Sequence, residues 1–137
     1  MNTILLLKFA GLAHIGLICA GVLMPLVVGL KHHLKDLPTF IRRLFWVYYA
    51  FIGMSIVAFG LGTFLLAEDL ASGSRLARCV CGFLALFWVL RWVTGTFVFD
   101  LSPYLTNRWR RVGLFAADVV FAVLPCVYGY AAFQSPL

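Results

Sequence analysis

The chain has 137 residues, 64% hydrophobic and 12% charged, with a net charge of +6. A soluble domain is nearer roughly 45–50% apolar and about 25% charged, and no water-soluble fold of this length has enough interior to hide so much apolar surface. The basic charge does not mark a nucleic-acid binder, because it sits mainly in short loops beside apolar runs, where it orients a membrane protein and meets anionic lipid headgroups.

The first apolar run covers residues 4–30. It is too long for the apolar core of a signal peptide, and no small-x-small cleavage site follows it, so it reads as a retained span. A bilayer needs only ~20 residues, so this span should tilt, kink or start in the interface. Pro25 places the kink, because it cannot donate to the carbonyl of Gly21. Gly11, Gly16, Ala20 and Gly21 form a small-residue stripe suited to close helix packing. His14 is the one ionisable residue deep in this run.

A loop over residues 31–43 follows, with Lys31, Lys35, Arg42 and Arg43 against Asp36. The second span covers residues 44–67. It opens on Phe45, Trp46, Tyr48 and Tyr49, an aromatic belt at headgroup level, and Ala58 and Gly62 fit a small-x-x-x-small pattern. The next loop is close to neutral, with Glu68 and Asp69 against Arg75 and Arg78. The third span covers residues 76–99 and the fourth 112–133. Between them lie Arg108, Arg110 and Arg111, and Tyr128 and Tyr130 are expected to anchor the far end.

These segments predict one domain: an all-α membrane protein, a four-helix transmembrane bundle. Lys and Arg stay on the cytoplasmic side. Both termini should then lie on the outer side, and Lys31, Lys35, Arg42, Arg43, Arg108, Arg110 and Arg111 should contact headgroups within. A bacterial inner membrane is the expected location.

Arg91 is the least comfortable residue in the sequence. A guanidinium inside a span costs roughly 2.5–3.5 kcal/mol on insertion scales, so it should face protein, water or a counter-charge. It lies ~13 Å from the inner end of the third span, and Asp118 lies ~10 Å from the same side of the fourth. The two spans form an antiparallel hairpin, so Arg91 and Asp118 are expected to make an intramembrane ion pair. Trp88 and Trp92 flank Arg91 and offer cation–π contacts or, with His14, polar contacts to a ligand.

No catalytic residues are expected. The chain has no Ser-His-Asp set, G-x-S-x-G, P-loop, H-E-x-x-H or paired catalytic carboxylates. No metal or other cofactor is expected. His14 and His32 lie ~27 Å apart along a helix and cannot clamp one haem within a chain. Cys19, Cys79, Cys81 and Cys126 contain no CxxC and read as apolar thiols, although a Cys81–Cys126 bridge is conceivable. The first span has no acidic residue, which disfavours small four-helix multidrug exporters. Small four-span glutathione-transferase-like proteins share the topology, and Arg91 with residues 108–111 is loosely similar to their basic clamp. Their glutamate and asparagine are missing where Arg42-Arg43-Leu44-Phe45-Trp46 stands, so the chain is not assigned to that family.

The expected function is a non-catalytic accessory or scaffold subunit, with lipid, other membrane subunits or copies of itself as partners. A homo-oligomeric transporter or pore for a small anion or acid, using Arg91, is one alternative. A membrane enzyme or redox protein with a site shared between protomers is the other.

Overall fold

The computed structural model describes residues 2–100 and 102–134. The described residues form helices joined by short turns, without strands. Four long helices, α1 (Thr3–Val27), α3 (Thr39–Leu65), α5 (Arg75–Phe97) and α6 (Arg108–Phe133), are long and apolar enough to cross a membrane. The shortest has 23 residues, ~35 Å at 1.5 Å per residue, against a hydrocarbon core of about 30 Å. Two one-turn helices, α2 (Leu30–Leu34) and α4 (Ala67–Ala71), sit in the first and second connections.

Local chemistry sets the helix ends. Asn2 caps α1 by accepting from the Ile4 amide, and Ser74 caps α5 by accepting from Ala77. Gly29 takes a left-handed conformation (φ 62°) that breaks α1 from α2. Helix α1 continues through Pro25 to Val27. The Gly21 carbonyl that Pro25 cannot serve accepts a hydrogen bond from the Tyr49 hydroxyl of α3. A partner helix thus supplies the donor that proline removes.

The long helices pair as two antiparallel hairpins, α1 with α3 and α5 with α6, which meet along α1–α6 and through α4. Only one glycine contact from each side brings α1 and α3 together. A Cβ on Gly11 would lie 2.8 Å from the Phe64 Cβ, and one on Gly60 would lie 2.7 Å from the His14 Cβ. A Cβ on Gly16 or Gly21 of the small-residue stripe, or on Gly62 of the Ala58–Gly62 pattern, would meet nothing within 4 Å, so of the stripe's glycines only Gly11 is at a close helix contact.

Burial is lopsided. The buried set includes Leu7, Ala10, His14 and Leu17 on α1, Thr63 on α3, and Cys81, Leu84 and Trp88 on α5, with Leu124, Tyr128 and Ala131 on α6. These positions lie in the half of the bundle that holds the termini and α4. Toward the other, basic end, no described residue in 35–59 or 89–123 is buried. The accessible surface is 9474 Å², against ~7,200 Å² for a compact soluble chain of this mass. The excess is apolar side chain, as expected of helices that face lipid or other spans.

At the terminal end, the Gln134 side-chain amide donates to the Thr3 hydroxyl over 2.7 Å, and Arg78 Nε donates to the Ala132 carbonyl over 3.0 Å. These bonds tie α6 to the start of α1 and to α5.

Candidate functional site

Each of the four long helices contributes one polar side chain to the packed half: His14, Thr63, Trp88 and Tyr128, all nearly or fully excluded from solvent. His14 is admitted because Gly60 opposite it has no side chain. Its Nδ1 lies 2.7 Å from the Ala10 carbonyl. A carbonyl only accepts, so Nδ1 carries the proton, and the Nε2 lone pair of the neutral ring is left facing inward. Nε2 has no hydrogen-bond partner among the described residues, and neither does the buried Trp88 Nε1. The imidazole meets the indole edge-on at 5.1 Å and the Tyr128 ring at 6.3 Å. The Tyr128 hydroxyl is satisfied by Thr63 Oγ1 at 2.8 Å.

No carboxylate orients His14, and no hydroxyl or thiol is hydrogen-bonded to it, so no activated nucleophile exists there. Among the described residues, no group of three His, Cys, Asp or Glu side chains could hold a metal ion. A haem held by His14 and shared with a second copy would have to displace Trp88 and Tyr128 from the imidazole. All four cysteines are free thiols, with Cys81 buried and the other three exposed.

A second group begins one helical turn below Trp88. The Arg91 guanidinium lies over the Phe121 ring of α6, 4.9 Å from its centroid, and the same ring stacks on Trp88 at 5.7 Å. Phe121 is therefore the aromatic partner of Arg91, from the facing helix. Trp92 is 38% exposed and belongs to the outer surface. Arg91 also reaches along its own helix: its Nη1 would lie 3.1 Å from a Cβ on Gly95, which leaves room for the guanidinium. Asp118, the expected counter-charge, lies one turn before Phe121 on α6 and makes no ion pair with Arg91 within 4 Å. Both residues are half-buried, where the packed core ends. Phe121 joins Arg91 to Trp88, and Trp88 in turn meets His14.

The basic loop residues stay at the surface. Lys31, Lys35, Arg43, Arg108, Arg110 and Arg111 are exposed, and Arg42 is half-exposed. Several stiffen their loops: Arg42 donates to the Lys35 carbonyl, Arg110 to the Tyr104 carbonyl and Thr106 hydroxyl, and Arg111 to the Leu105 carbonyl. Tyr128 departs from its expected place as an interfacial anchor. It is fully buried because Thr63 on α3 offers a hydroxyl at its depth, and Tyr130 takes the exposed position. Nothing local in the sequence marks Tyr128–Thr63 or Tyr49–Gly21, since each joins residues brought together only by helix pairing.

Comparison with protein-family models, with curated proteins and with solved structures finds no match for the chain.

Proposed function

We propose that the chain is a non-catalytic accessory or scaffold subunit of a membrane assembly, formed with other subunits or with copies of itself. It would sit in a bacterial inner membrane with both termini outside and the basic loops on anionic headgroups within. The orientation is supported by the excess of Lys and Arg in the first and third connections. The observation that carries the functional reading is the half-packed bundle. Helix α3 runs along only α1 among the long helices and meets α5 and α6 through single side chains, and no described residue in 35–59 or 89–123 is buried. Helices with long unpaired faces, but no catalytic constellation, suit a protein whose work is to pack against other spans.

The alternative of a small-anion or acid pathway draws on one specific feature. Arg91 sits half-buried at the level where packing between the hairpins stops. An oligomer that lined a water-filled space with this residue would be selective for anions.

Site-specific photocrosslinking in native membranes tests the leading reading. A probe replacing Ile52, exposed on α3 in the unpacked half, should give a discrete adduct of defined mass, while a probe at Leu5, exposed near the other end, should give none. No adduct at Ile52, or equal diffuse labelling at both positions, would sink the subunit reading. Adducts only with the chain itself, together with anion flux in vesicles that Arg91→Leu abolishes, would replace it with the pathway reading.

A further inference from the structure

Helices α3 and α5 belong to different hairpins and make no extended backbone contact with each other. Between them, roofed by α4, is a cleft of about 450 Å³, within the range of roughly 300–1,000 Å³ typical of ligand sites. Its walls are nearly all apolar. Several wall residues, including Ala58, Leu76, Val80 and Phe83, are exposed, so the cleft opens sideways where hydrocarbon would surround a spanning bundle. Phe59 meets Phe83 and Phe87 edge-on at 6.2 and 5.1 Å and closes the slot toward the basic end. At the other end the lining turns polar with Asp69 and Ser74, and Arg75 follows directly.

We infer that this cleft holds one acyl chain of a zwitterionic phospholipid, with the headgroup ammonium at Asp69 and its phosphate at Arg75. A helix with side chains is about 10–12 Å across, and Phe59 against Phe83 and Phe87 shuts the inner end of the slot to one. A polymethylene chain is far narrower. Depth agrees as well. From Leu76 to Leu84 the slot runs ~12 Å along α5, most of the roughly 15 Å of one leaflet's hydrocarbon. Gly62 lines the slot and leaves it open, since a Cβ there would meet nothing within 4 Å. The paired signs at the mouth favour an ammonium-phosphate head over a purely anionic one. The inference rests on membrane placement but not on the subunit role.

The test uses the full chain, reconstituted with equal phosphatidylethanolamine and phosphatidylglycerol, transferred to mild detergent and weighed by native mass spectrometry. One retained phosphatidylethanolamine per chain is expected. Gly62→Leu, which fills the slot from a position with free space, should reduce retention at least tenfold. Gly16→Leu, at another open glycine, should leave it unchanged. Asp69→Asn should keep a lipid but lose the headgroup preference. Should Gly62→Leu not fold, alkylation of Cys79 replaces it. Cys79 is an exposed thiol in the cleft wall, and in a Cys19→Ala, Cys126→Ala chain its labelling should slow severalfold when phosphatidylethanolamine is added to delipidated protein. No retained lipid, equal retention by Gly62→Leu, equal retention of the two lipids by the unaltered chain, or Cys79 labelling indifferent to lipid would each overturn the inference.

Discussion

The imidazole of His14 stands edge-on to the indole of Trp88, 5.1 Å between centroids at 76°, and each ring keeps a buried nitrogen without a hydrogen-bond partner. This contact joins the two hairpins across the middle of the packed half. Edge-to-face rings contribute beyond their area, by about 0.5–1.5 kcal/mol. The two unpaired buried nitrogens outweigh that gain, since a buried polar group without a partner costs about 1–3 kcal/mol.

His14→Phe keeps the ring and removes the orphan nitrogen, so it should match or exceed the parent in detergent stability. His14→Ala leaves a ring-sized cavity and should lose about 3 kcal/mol, near the lower end for aromatic truncations. Neither change should alter the visible absorbance of the purified protein. A chromophore that disappears in His14→Phe would make the imidazole a ligand rather than a core ring.

The glycines separate packing from composition. Gly60→Ala puts a Cβ 2.7 Å from that of His14, so α1 and α3 must part, at a cost of roughly 1–3 kcal/mol. Gly62→Ala meets nothing and should be neutral or stabilising by up to ~1 kcal/mol through helix propensity. Denaturant titration of helicity would compare them, and equal effects would contradict the α1–α3 contact.

Most of the fold was legible because spans are a matter of length and apolarity. Which face of each span packs was not. In a bilayer the lipid-facing and partner-facing sides are both apolar, so periodicity does not mark the interior as it does in water. Twelve glycines gave no sign that Gly11 and Gly60 are the pair in contact. Depth alone suggests Asp118 as the partner of Arg91, but the contact Arg91 makes is with the Phe121 ring of the facing helix and not with Trp92 beside it in sequence.

Tyr49 and Pro25 should be energetically coupled. Tyr49→Phe strands the Gly21 carbonyl and should cost about 1 kcal/mol. Pro25→Ala restores the helix's own donor to that carbonyl. In the Pro25→Ala background, Tyr49→Phe should therefore cost much less. A double-mutant cycle on unfolding free energy reads this directly, and simple additivity would mean the hydroxyl does not serve the carbonyl.

Membrane orientation is open to a direct chemical test. In a chain whose Cys19, Cys79 and Cys126 are replaced by Ala, single cysteines at Ser74 and Thr39 should differ in access. An impermeant thiol reagent added outside intact cells should label position 74 and spare 39. The reverse pattern would invert the bundle and place the basic loops outside.

The Arg91 guanidinium of α5 lies against Phe121 of α6, and Asp118 is one turn before that ring on the same helix. Removing one charge from a buried pair costs roughly 3–5 kcal/mol in water-soluble proteins, because the other is left uncompensated. Half-burial should reduce that here, since Arg91 can reach along Gly95 toward the basic end and water can reach Asp118. Arg91→Leu and Asp118→Leu should each lower thermal stability in detergent, with the arginine change larger because it also forfeits the contact with Phe121. The double Leu variant should recover most of the Asp118→Leu loss, because no lone charge remains. Phe121→Leu separates the two contributions: it removes the ring and leaves both charges, so a loss comparable to that of Arg91→Leu would assign the seam to cation–π packing. If the two single losses simply add, the charges are not coupled, and Arg91 is held by Phe121 alone.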